Sequence, residues 1–466
     1  MEQLPIFDVI GEVAKKLRIK TYVIGGFVRD HFLERPSKDI DFVVVGSGID
    51  MAREVAGKLP EKPQVTVFKN FGTAMFNYQG MEIEFVGARK ESYRANSRKP
   101  IVENGSLKDD QNRRDFTINA MAISLNENDF GEVLDPFRGL DHIEDKLIKT
   151  PLDPDLTFSD DPLRMMRAIR FAAQLNFEID KTALKAIRTN AERIKIVSQE
   201  RTTDELNKII LSKNPSVGFK HLFNTGLLHI IFPEMAALHG VDIIDGKGHK
   251  DNFYHTLQVL ENVCTMTDDL WLRWAAILHD IAKPPTKRFD KKIGWTFHGH
   301  EDKGARMTPK IFRNLRLPLN EKMKFVQKLV ALHLRPIALA KSIVTDSAIR
   351  RLLYEGGEDL DALMKLCRAD ITSKNEEKVT KYLKNFDLVE IKLKEVEEKD
   401  KIRNWQPPVS GNDIQDTFEI IIGRHIGDIK SKIKEAILDG DIENNREAAV
   451  EYMLKLGDEM NLKRKS

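Results

Sequence analysis

Two aspartates separated by one residue, Asp39 and Asp41 in KDIDFVVV, have a spacing that suggests chemistry. Side chains alternate along a β-strand, so both carboxylates are expected on the same face. Two neighbouring carboxylates repel each other unless a cation lies between them, and oxygen ligands suit Mg²⁺. Glu84, in MEIEFV, could add a third carboxylate from a neighbouring strand. The pattern predicts a magnesium site, and an exposed strand end is the alternative for the aspartate pair taken alone.

A pair of glycines just upstream strengthens this interpretation. Gly25 and Gly26 follow the apolar stretch TYVI and precede FVRDHFLE, which reads as a helix. The backbone there can approach a phosphate closely, N–H groups at a helix start favour an anion, and Arg29 can reach the same anion. A tight turn is the alternative. Triphosphate binding beside paired carboxylates is the arrangement that two-metal nucleotidyl transfer needs.

The elements that must position these residues are strands and helices in alternation. A short amphipathic helix is predicted over 5–18, and residues 20–145 read as α/β or α+β. After Asp160 the apolar spacing is helical almost throughout, with one further strand predicted near residue 294. The fold class predicted is therefore an α/β (α+β) head followed by a mainly α-helical remainder.

Three motifs in order give the chain a family resemblance. GGFVRDHFLERPSKDIDFVVVG is followed by RRDFTINA, which starts at Arg113, and by DDPLRMMRAIRF, which starts at Asp160. Together they resemble the class II tRNA nucleotidyltransferase and poly(A) polymerase family, part of the polymerase-β-like nucleotidyltransferases. The sequence departs from the family's commonest form at Asp160, where glutamate is usual.

The resemblance implies an activity and a domain order. The activity is template-independent addition of CCA to the 3′ end of tRNA from CTP and ATP, with Asp39, Asp41 and Glu84 catalytic and Mg²⁺ bound at Asp39 and Asp41. The domains implied are a nucleotidyltransferase head over 1–150, a helical neck over 151–235, an HD domain over 236–375 and a helical tail over 376–466 that contacts the body of tRNA.

The third motif offers a physical basis for base selection. Asp161 and Arg164 are three residues apart, and a helix beginning at Asp161 would place them on one face. Asp161 can accept a hydrogen bond from the exocyclic amine of cytosine or adenine while Arg164 donates to the ring nitrogen. Guanine and uracil present the reverse pattern and would leave unsatisfied groups. A surface ion pair is the alternative. The resemblance adds a set of nucleotide contacts: Gly25, Gly26, Arg29, Arg114, Asp161, Arg164, Arg167 and Arg170.

Residues 87–114 form a polar stretch with eight Lys or Arg against four acids. The stretch resembles the flexible loop that complete CCA-adding enzymes use when they switch from C to A, which argues against an enzyme that adds only CC. A surface segment without a phosphate-binding role is the alternative.

A second set of residues carries a different pattern. His255, His279-Asp280 and Asp370 reproduce the order H…HD…D of HD phosphohydrolase domains, and His300 and His333 lie where two-metal members carry further ligands. Imidazole with carboxylate suits borderline or hard divalent metals. The resemblance leaves two states open, an HD fold that holds a second divalent metal and one that holds none. Hydrolysis of a phosphomonoester or a 2′,3′-cyclic phosphate is the reaction implied.

Composition sets limits on these interpretations. The 466 residues carry 74 Lys or Arg and 72 Asp or Glu, with 41% hydrophobic residues, which excludes a disordered chain. Two cysteines fit a reducing compartment, and with no signal pattern and no spanning apolar run we expect a cytoplasmic protein with no membrane contact and no obligate protein partner. The near-neutral total hides a local excess, because residues 164–201 hold nine Lys or Arg and four acids.

Three rival functions stay open at this point. The first is a poly(A) polymerase or an enzyme that adds only A to tRNA. The second is an HD phosphohydrolase whose head only binds nucleotide or RNA. The third is a non-catalytic RNA-binding module, against which the complete set of motifs argues.

Overall fold

The computed structural model describes residues 4–69, 72–94, 97–340, 345–372, 375–400, 402–403, 405–419 and 423–465, with the side chains of 90–102, 376 and 378 outside that description. The chain divides into two compact units, Met1–Ala236 and Ala237–Ser466. Each unit is described by itself.

The first unit opens with alternating helices and strands, as the sequence predicts. They are α1 Pro5–Leu17, β1 Thr21–Ile24, α2 Gly26–Phe32, β2 Asp39–Val44, α3 Gly48–Lys58, β3 Thr66–Phe68, β4 Thr73–Tyr78 and β5 Met81–Gly87. The next elements are β6 Arg89–Arg94, β7 Ser97–Asn104, α4 Leu107–Asn112, β8 Ala122–Ser124, β9 Val133–Leu134, α5 Gly139–Glu144 and β10 Leu147–Ile148.

A mixed seven-stranded sheet forms the centre of this region, in the order β3-β4-β5-β2-β1-β8-β9. β2 and β5 run parallel, and the other neighbours in the sheet are antiparallel. Ile40 and Phe42 of β2 are fully buried, and Phe42 stacks on Phe85 of β5 with ring centroids 4.9 Å apart. Because side chains alternate along a strand, this packing directs Asp39 and Asp41 to the other face.

The polar stretch 87–114 contains regular structure. β6 and β7 pair as an antiparallel hairpin, and α4 follows with a capping box between Ser106 and Asp109. The predicted loop therefore holds two strands and a helix; residues 95–96 and the side chains of 90–102 lie outside the described residues. Its role in switching from C to A stays a prediction.

Helices follow the sheet, confirming the predicted fold class. They are α6 Pro154–Asp160, α7 Leu163–Leu175, α8 Lys181–Asn190, α9 Gln199–Ile210, α10 Pro215–Asn224, α11 Leu227–Ile231 and α12 Pro233–Ala236, with the short strand β11 Glu178–Ile179 paired to β10.

The start of α7 corrects one expectation. The helix was expected to begin at Asp161, but Asp161 has extended backbone angles and Pro162 precedes the first helical residue, Leu163. Proline disfavours the helical conformation in the residue before it. Asp161 and Arg164 are therefore neighbours across a helix start and do not share a helix face.

The second unit is mainly helical. Its elements are β12 Ile243–Ile244, β13 Lys247–Gly248, α13 Asn252–Cys264, α14 Leu270–Leu278, α15 Lys283–Thr286, β14 Arg288–Asp290, β15 Gly294–Thr296, α16 His300–Asn314, α17 Glu321–Leu332, α18 Leu334–Leu339, α19 Asp346–Gly356, α20 Leu360–Asp370, α21 Glu376–Asp400, α22 Gly411–Thr417, α23 Arg424–Asp439 and α24 Arg446–Glu459. The strand predicted near residue 294 is β15. Strands β11 to β14 are two or three residues long and leave no alternation for a sequence pattern to show.

Over the described ranges, every helix is too short or too polar to cross a lipid bilayer.

Candidate active site

The three predicted acidic residues lie on the two parallel strands at the middle of the sheet. In the register of β2 and β5, Asp39 is opposite Glu82 and Asp41 is opposite Glu84. The pKa of the Asp41 carboxyl is raised, mainly because the group is buried. Arg114 lowers this pKa in part, and the negative charge of Asp39 raises it further. Burial and the charge of Asp41 likewise raise the pKa of Glu84.

The pKa values stay raised although Arg114 is nearby, so the carboxylates carry more negative charge than that arginine offsets. A divalent cation would offset the repulsion between the carboxylates, and an all-oxygen donor set is the kind that Mg²⁺ takes. Asp39 and Asp41 are the residues that could hold it. With Glu84 they do not form a group of three ligand atoms within 4.8 Å of one another; in the described part of the chain both such groups lie in the second unit.

Gly25 brings the backbone close to this site. Its φ of 86° is in the left-handed region, where glycine has no steric penalty. A Cβ atom at Gly25 would lie 2.8 Å from Arg114 Nη1 and 3.2 Å from Asp41 Oδ2. The turn between β1 and α2 therefore requires glycine because an arginine and a catalytic candidate pack directly against it.

Two adjacent arginines are held by one buried carboxylate that the sequence did not single out. Asp110 is fully buried, and it accepts hydrogen bonds from Arg113 Nε at 2.9 Å and from Arg114 Nε at 3.1 Å. Burial alone would raise the pKa of Asp110, but the two guanidinium groups outweigh it and lower the pKa. Asp110 lies four residues before Arg114 in the sequence, and this spacing could have indicated that the two side chains pair.

A charged cavity of about 470 Å³ lies next to these arginines. Its walls come from the RRDFTINA segment, the start of α7 and one face of α9. The lining residues are Arg113, Arg114, Asp115, Asp161, Leu163, Arg164, Arg167, Arg201, Asp204, Glu205 and Lys208. Six of them are basic and four are acidic, so the cavity suits a ligand that combines negative charge with hydrogen-bonding groups.

The proposed base-selecting residues both line this cavity. The Asp161 carboxylate accepts from the backbone N–H of Leu163 at 3.3 Å. Arg164 Nη2 donates to the carbonyl oxygen of Arg113 at 2.6 Å. These contacts hold both side chains at the start of α7.

The other predicted arginines form ion pairs with buried carboxylates. Arg167 Nε lies 2.7 Å from Asp115 Oδ2, and Arg170 Nε lies 3.1 Å from Glu205 Oε2. Burial opposes the charge of Asp115, but Arg167 and the amide of Asn119 hold its pKa well below the usual range. Burial lowers the pKa of Arg170 to about 10, against the charge of Glu205.

A shared aromatic ring gathers three of the arginines. The guanidinium carbons of Arg29, Arg167 and Arg170 lie 5.0, 5.4 and 4.4 Å from the centroid of the Phe171 ring, within cation–π range. Arg29 also pairs with Asp30 and donates to Asn119 Oδ1 at 2.7 Å. Its contacts therefore join α2 to the RRDFTINA segment.

The predicted HD residues meet in one buried cluster in the second unit. His255, His279 and Asp370 form one group of three potential metal ligands; Asp280, His300 and His333 form a second. Asp280 links the groups. Its Oδ2 is 3.2 Å from His279 Nε2, and its Oδ1 is 3.2 Å from His300 Nε2.

The hydrogen bonds of these imidazoles match those of metal ligands. His279, His300 and His333 each place Nδ1 2.7 Å from a backbone carbonyl oxygen three residues earlier. Nδ1–H donation leaves the lone pair of Nε2 directed inward, as in metal-ligating histidines. The Nε2 atoms of His279 and His300 are buried, and each faces a carboxylate oxygen of Asp280 at 3.2 Å. The donor set of four imidazoles and two carboxylates fits borderline divalent metals.

Comparisons with known proteins agree with this architecture. Residues 21–149 match the family model of the Poly A polymerase head domain. Residues 176–238 match the probable RNA and SrmB-binding site of polymerase A, and residues 252–375 match the HD domain. The resemblance drawn from the three motifs is confirmed.

The similar proteins are tRNA nucleotidyltransferases and CCA-adding enzymes. An A-adding tRNA nucleotidyltransferase of Aquifex aeolicus is 43% identical over 170 residues, which are 36% of this chain and 20% of the relative. The chain thus spans about a fifth of the length of the curated relative it matches.

Solved structures extend the similarity of fold. The Bacillus stearothermophilus CCA-adding enzyme in complex with CTP is 21% identical, with a TM-score of 0.67, covering 98% of this chain and 99% of that one. The Thermotoga maritima CCA-adding enzyme complexed with tRNA is 23% identical, with a TM-score of 0.60, covering 97% and 95%. At these identities the likeness establishes the fold.

The buried pair of Asp115 and Arg167 gives a stability prediction. Asp115→Asn should lower the free energy of unfolding by about 3 kcal/mol at pH 7, because Arg167 loses its carboxylate partner. The folded-state pKa of Asp115 lies below its unfolded value of about 3.9. The stabilisation is therefore complete above that value and is lost as the pH falls through the folded-state pKa.

Urea unfolding of both proteins at pH 7, 5 and 3.5 measures this difference. It should stay constant between pH 7 and about pH 5 and narrow only below about pH 4. The exposed acid Glu132 supplies the control, and Glu132→Gln should change stability by less than about 0.5 kcal/mol. A difference that shrinks already between pH 7 and 5 contradicts the assignment.

Proposed function

We propose that this chain adds nucleotides to the 3′ end of tRNA, using CTP and ATP to build CCA. The observation that carries the proposal is the register of Asp41 with Glu84 beside Gly25 and the arginine-lined cavity. The names of the similar proteins support it, since they are an A-adding enzyme and CCA-adding enzymes in complexes with CTP and with tRNA.

The residue roles follow from charge and position. Asp39 and Asp41 hold magnesium, which would activate the attacking 3′-hydroxyl and neutralise the leaving pyrophosphate in a two-metal transfer. Glu84 adds negative charge beside Asp41. Arg113 and Arg114, fixed by Asp110, face the triphosphate from the cavity wall.

Base selection belongs to Asp161 and Arg164. Both line the cavity, with Asp161 as the hydrogen-bond acceptor and Arg164 as the donor. This role does not require that the two residues share a helix face. Cytosine and adenine satisfy both groups, whereas guanine and uracil oppose acceptor to acceptor. Arg167 and Arg170 act indirectly in this proposal, because their ion pairs with Asp115 and Glu205 hold α7 in place.

Addition of A alone is the first rival, and the Aquifex relative is the observation that favours it. Residues 430–466 carry eight basic and eight acidic residues, so this tail lacks the positive excess that would hold RNA of any sequence.

The predicted division into head, neck, HD domain and tail is part of the proposal, and so is a cytoplasmic location. The unpaired Cys264 and Cys367 support a reducing compartment.

Replacing Asp41 tests the catalytic assignment. Asp41→Ala should abolish incorporation of labelled CTP and ATP, by at least about a hundredfold, because one of the two magnesium ligands is lost. Affinity for tRNA, measured by filter binding, should stay within about twofold, since tRNA binds through many phosphate contacts. Asp50→Ala, in the first turn of α3, is the matched acidic control. Retained incorporation by Asp41→Ala would remove Asp41 from the active site.

Replacing Arg164 tests base selection separately. Arg164→Ala should reduce the preference for CTP and ATP over GTP and UTP by about tenfold, because the donor to the ring nitrogen is lost. The ratio of kcat/KM values for the four nucleotides measures it. Arg53→Ala, an exposed arginine of α3, should leave the ratio unchanged. An unchanged preference in Arg164→Ala refutes the role of Arg164.

We further propose that the second unit binds divalent metal and hydrolyses a phosphate ester. The two ligand groups joined by Asp280 are the observation that favours this second function. Metal bound there would supply the polarisation of the phosphate and the activation of water that hydrolysis needs. Lys283, whose Nζ is 2.5 Å from Asp280 Oδ2, adds a positive charge at the same carboxylate.

Chelation should reveal this metal site. In an Asp39→Ala, Asp41→Ala background, which lacks the head's ligands, we expect the chain to retain Mn²⁺ or Ni²⁺ after gel filtration, with a melting temperature that falls when the metal is removed. Elemental analysis and thermal unfolding measure both. The added change His279→Ala should abolish the retained metal and the shift. If the purified chain contains no metal and a chelator does not change its melting temperature, the proposed hydrolase function is refuted.

A further inference from the structure

The long helix α21 carries apolar side chains on two faces. The inner face packs into the second unit and contains four buried residues, Phe386, Val389, Leu393 and Val396. On the outer face, Leu388 is 60% exposed and Ile391 is 52% exposed. Residues three apart on a helix are neighbours, so these two side chains form one apolar patch. Burial of such side chains is favourable, and the patch therefore suits a contact with another surface.

Charged residues extend this patch along the helix in both directions. Lys381 and Lys384 precede it, and Glu395 and Glu398 follow it, all of them exposed. We call residues 381, 384, 388, 391, 395 and 398 the outer stripe. Their spacings alternate between three and four, as they do along the seam of a helix that packs lengthwise against another helix. At 1.5 Å per residue the outer stripe is about 26 Å long. It is positive at its N-terminal end, apolar in the middle and negative at its C-terminal end.

The charges of the outer stripe are available to a partner. The ion pairs that α21 forms within the described part of the chain use other side chains, namely Asp387, Glu390, Lys392, Glu397 and Asp400. Two lysines and two glutamates leave the outer stripe without net charge, so it has no positive excess to attract a polyanion such as RNA. Its charged ends instead favour a surface on which the order of the charges is reversed.

A second copy of the same helix, laid antiparallel, is such a surface. In a two-fold interface the same patch serves both copies, so each contact between two different residues occurs twice. With the two-fold axis between residues 389 and 390, Leu388 faces Ile391 of the other copy. The same axis sets Lys384 opposite Glu395 and Lys381 opposite Glu398, because all three pairs have the same midpoint in the sequence. A single register thus covers both apolar residues and places every lysine of the outer stripe against a glutamate.

We propose that two copies of this chain associate through the outer stripe of α21 as an antiparallel two-fold pair. An apolar centre with a charged rim is the usual anatomy of a protein interface. Contact along one helix is small, so the association is expected to be weak and to depend on protein concentration. The inference goes beyond the proposed catalytic functions and does not rest on either of them.

Sedimentation velocity of the full chain over a range of concentrations measures this association. The dimer fraction of the parent should rise with concentration. Leu388→Asp should weaken dimerisation by at least about tenfold, because a charge replaces an apolar contact that the pair makes twice. Leu319, which is 51% exposed in the second unit and lies outside α21, supplies the matched control. Leu319→Asp should dimerise like the parent, and both variants should keep the parent's melting temperature because the positions are exposed.

An exchange of charge tests the antiparallel register. Lys384→Glu sets two glutamates against each other and Glu395→Lys sets two lysines against each other. Each variant alone should therefore dimerise about tenfold more weakly than the parent, since two attractive pairs become repulsive. In an equal mixture, one variant supplies two glutamates and the other two lysines at these positions, and both pairs become attractive again. The dimer fraction of the mixture should return to that of the parent at the same total concentration.

Four results would overturn the inference. The first is a parent chain that stays monomeric at every concentration. The second is a Leu388→Asp variant that dimerises as strongly as the parent. The third is a mixture of the two charge variants that dimerises no better than either alone. The fourth concerns tRNA: if Lys384→Glu lowers tRNA affinity in filter binding at concentrations where the parent is monomeric, the outer stripe binds RNA instead of a second copy.

Discussion

The register between β2 and β5 is the constraint on which the first unit depends. It sets Asp41 directly opposite Glu84 while Phe42 stacks on Phe85 on the opposite face of the same two strands. The buried stack is favourable and the pair of acids is not, because burial and the charges of neighbouring acids raise both pKa values. A slip of one residue would exchange the two faces. The core thus holds the carboxylates together, and a cation bound to them would relieve the repulsion.

Carboxylates of a second kind fix the arginines around this site. Asp110 holds Arg113 and Arg114, Asp115 holds Arg167, and Glu205 holds Arg170. Each of these pairs is at least partly buried, so it is weakly screened and directional. Asp41 and Glu84, whose pKa values stay raised despite the charge of Arg114, sit where magnesium is proposed. The acids that form ion pairs hold the arginines of the same region in place. Gly25 completes the arrangement, because its φ of 86° favours glycine and a Cβ atom there would lie 2.8 Å from Arg114 Nη1.

Local sequence patterns predicted the strands, the fold class and the family, whereas contacts that depend on tertiary packing were not predictable from them. Alternation in KDIDFVVV and MEIEFVG predicted β2, β5 and the shared face of their acids, and the fold class and the family were predicted correctly. The start of α7 was wrong by two residues because Pro162 disfavours helix at Asp161. The sequence did not reveal that Asp110 holds Arg113 and Arg114, because this role depends on the burial of Asp110. It also did not reveal that Lys250 lies beside His255, because that contact depends on a fold that brings α13 next to Thr372. The six HD residues were predicted together from the sequence. Their division into two groups, with Asp280 between them, was not predicted because it depends on how the helices pack.

The central claim is that the first unit extends tRNA with C, C and A, and one measurement tests it most directly. The purified chain is incubated with Mg²⁺, with all four labelled nucleoside triphosphates supplied one at a time, and with tRNA ending before CCA, after the first C or after CC. The account predicts incorporation of C on the first two substrates, of A on the third, and of neither G nor U on any. Addition of A alone on the third substrate, with no C on the others, would contradict CCA addition and support the A-adding rival; no incorporation on any substrate would contradict nucleotidyl transfer itself.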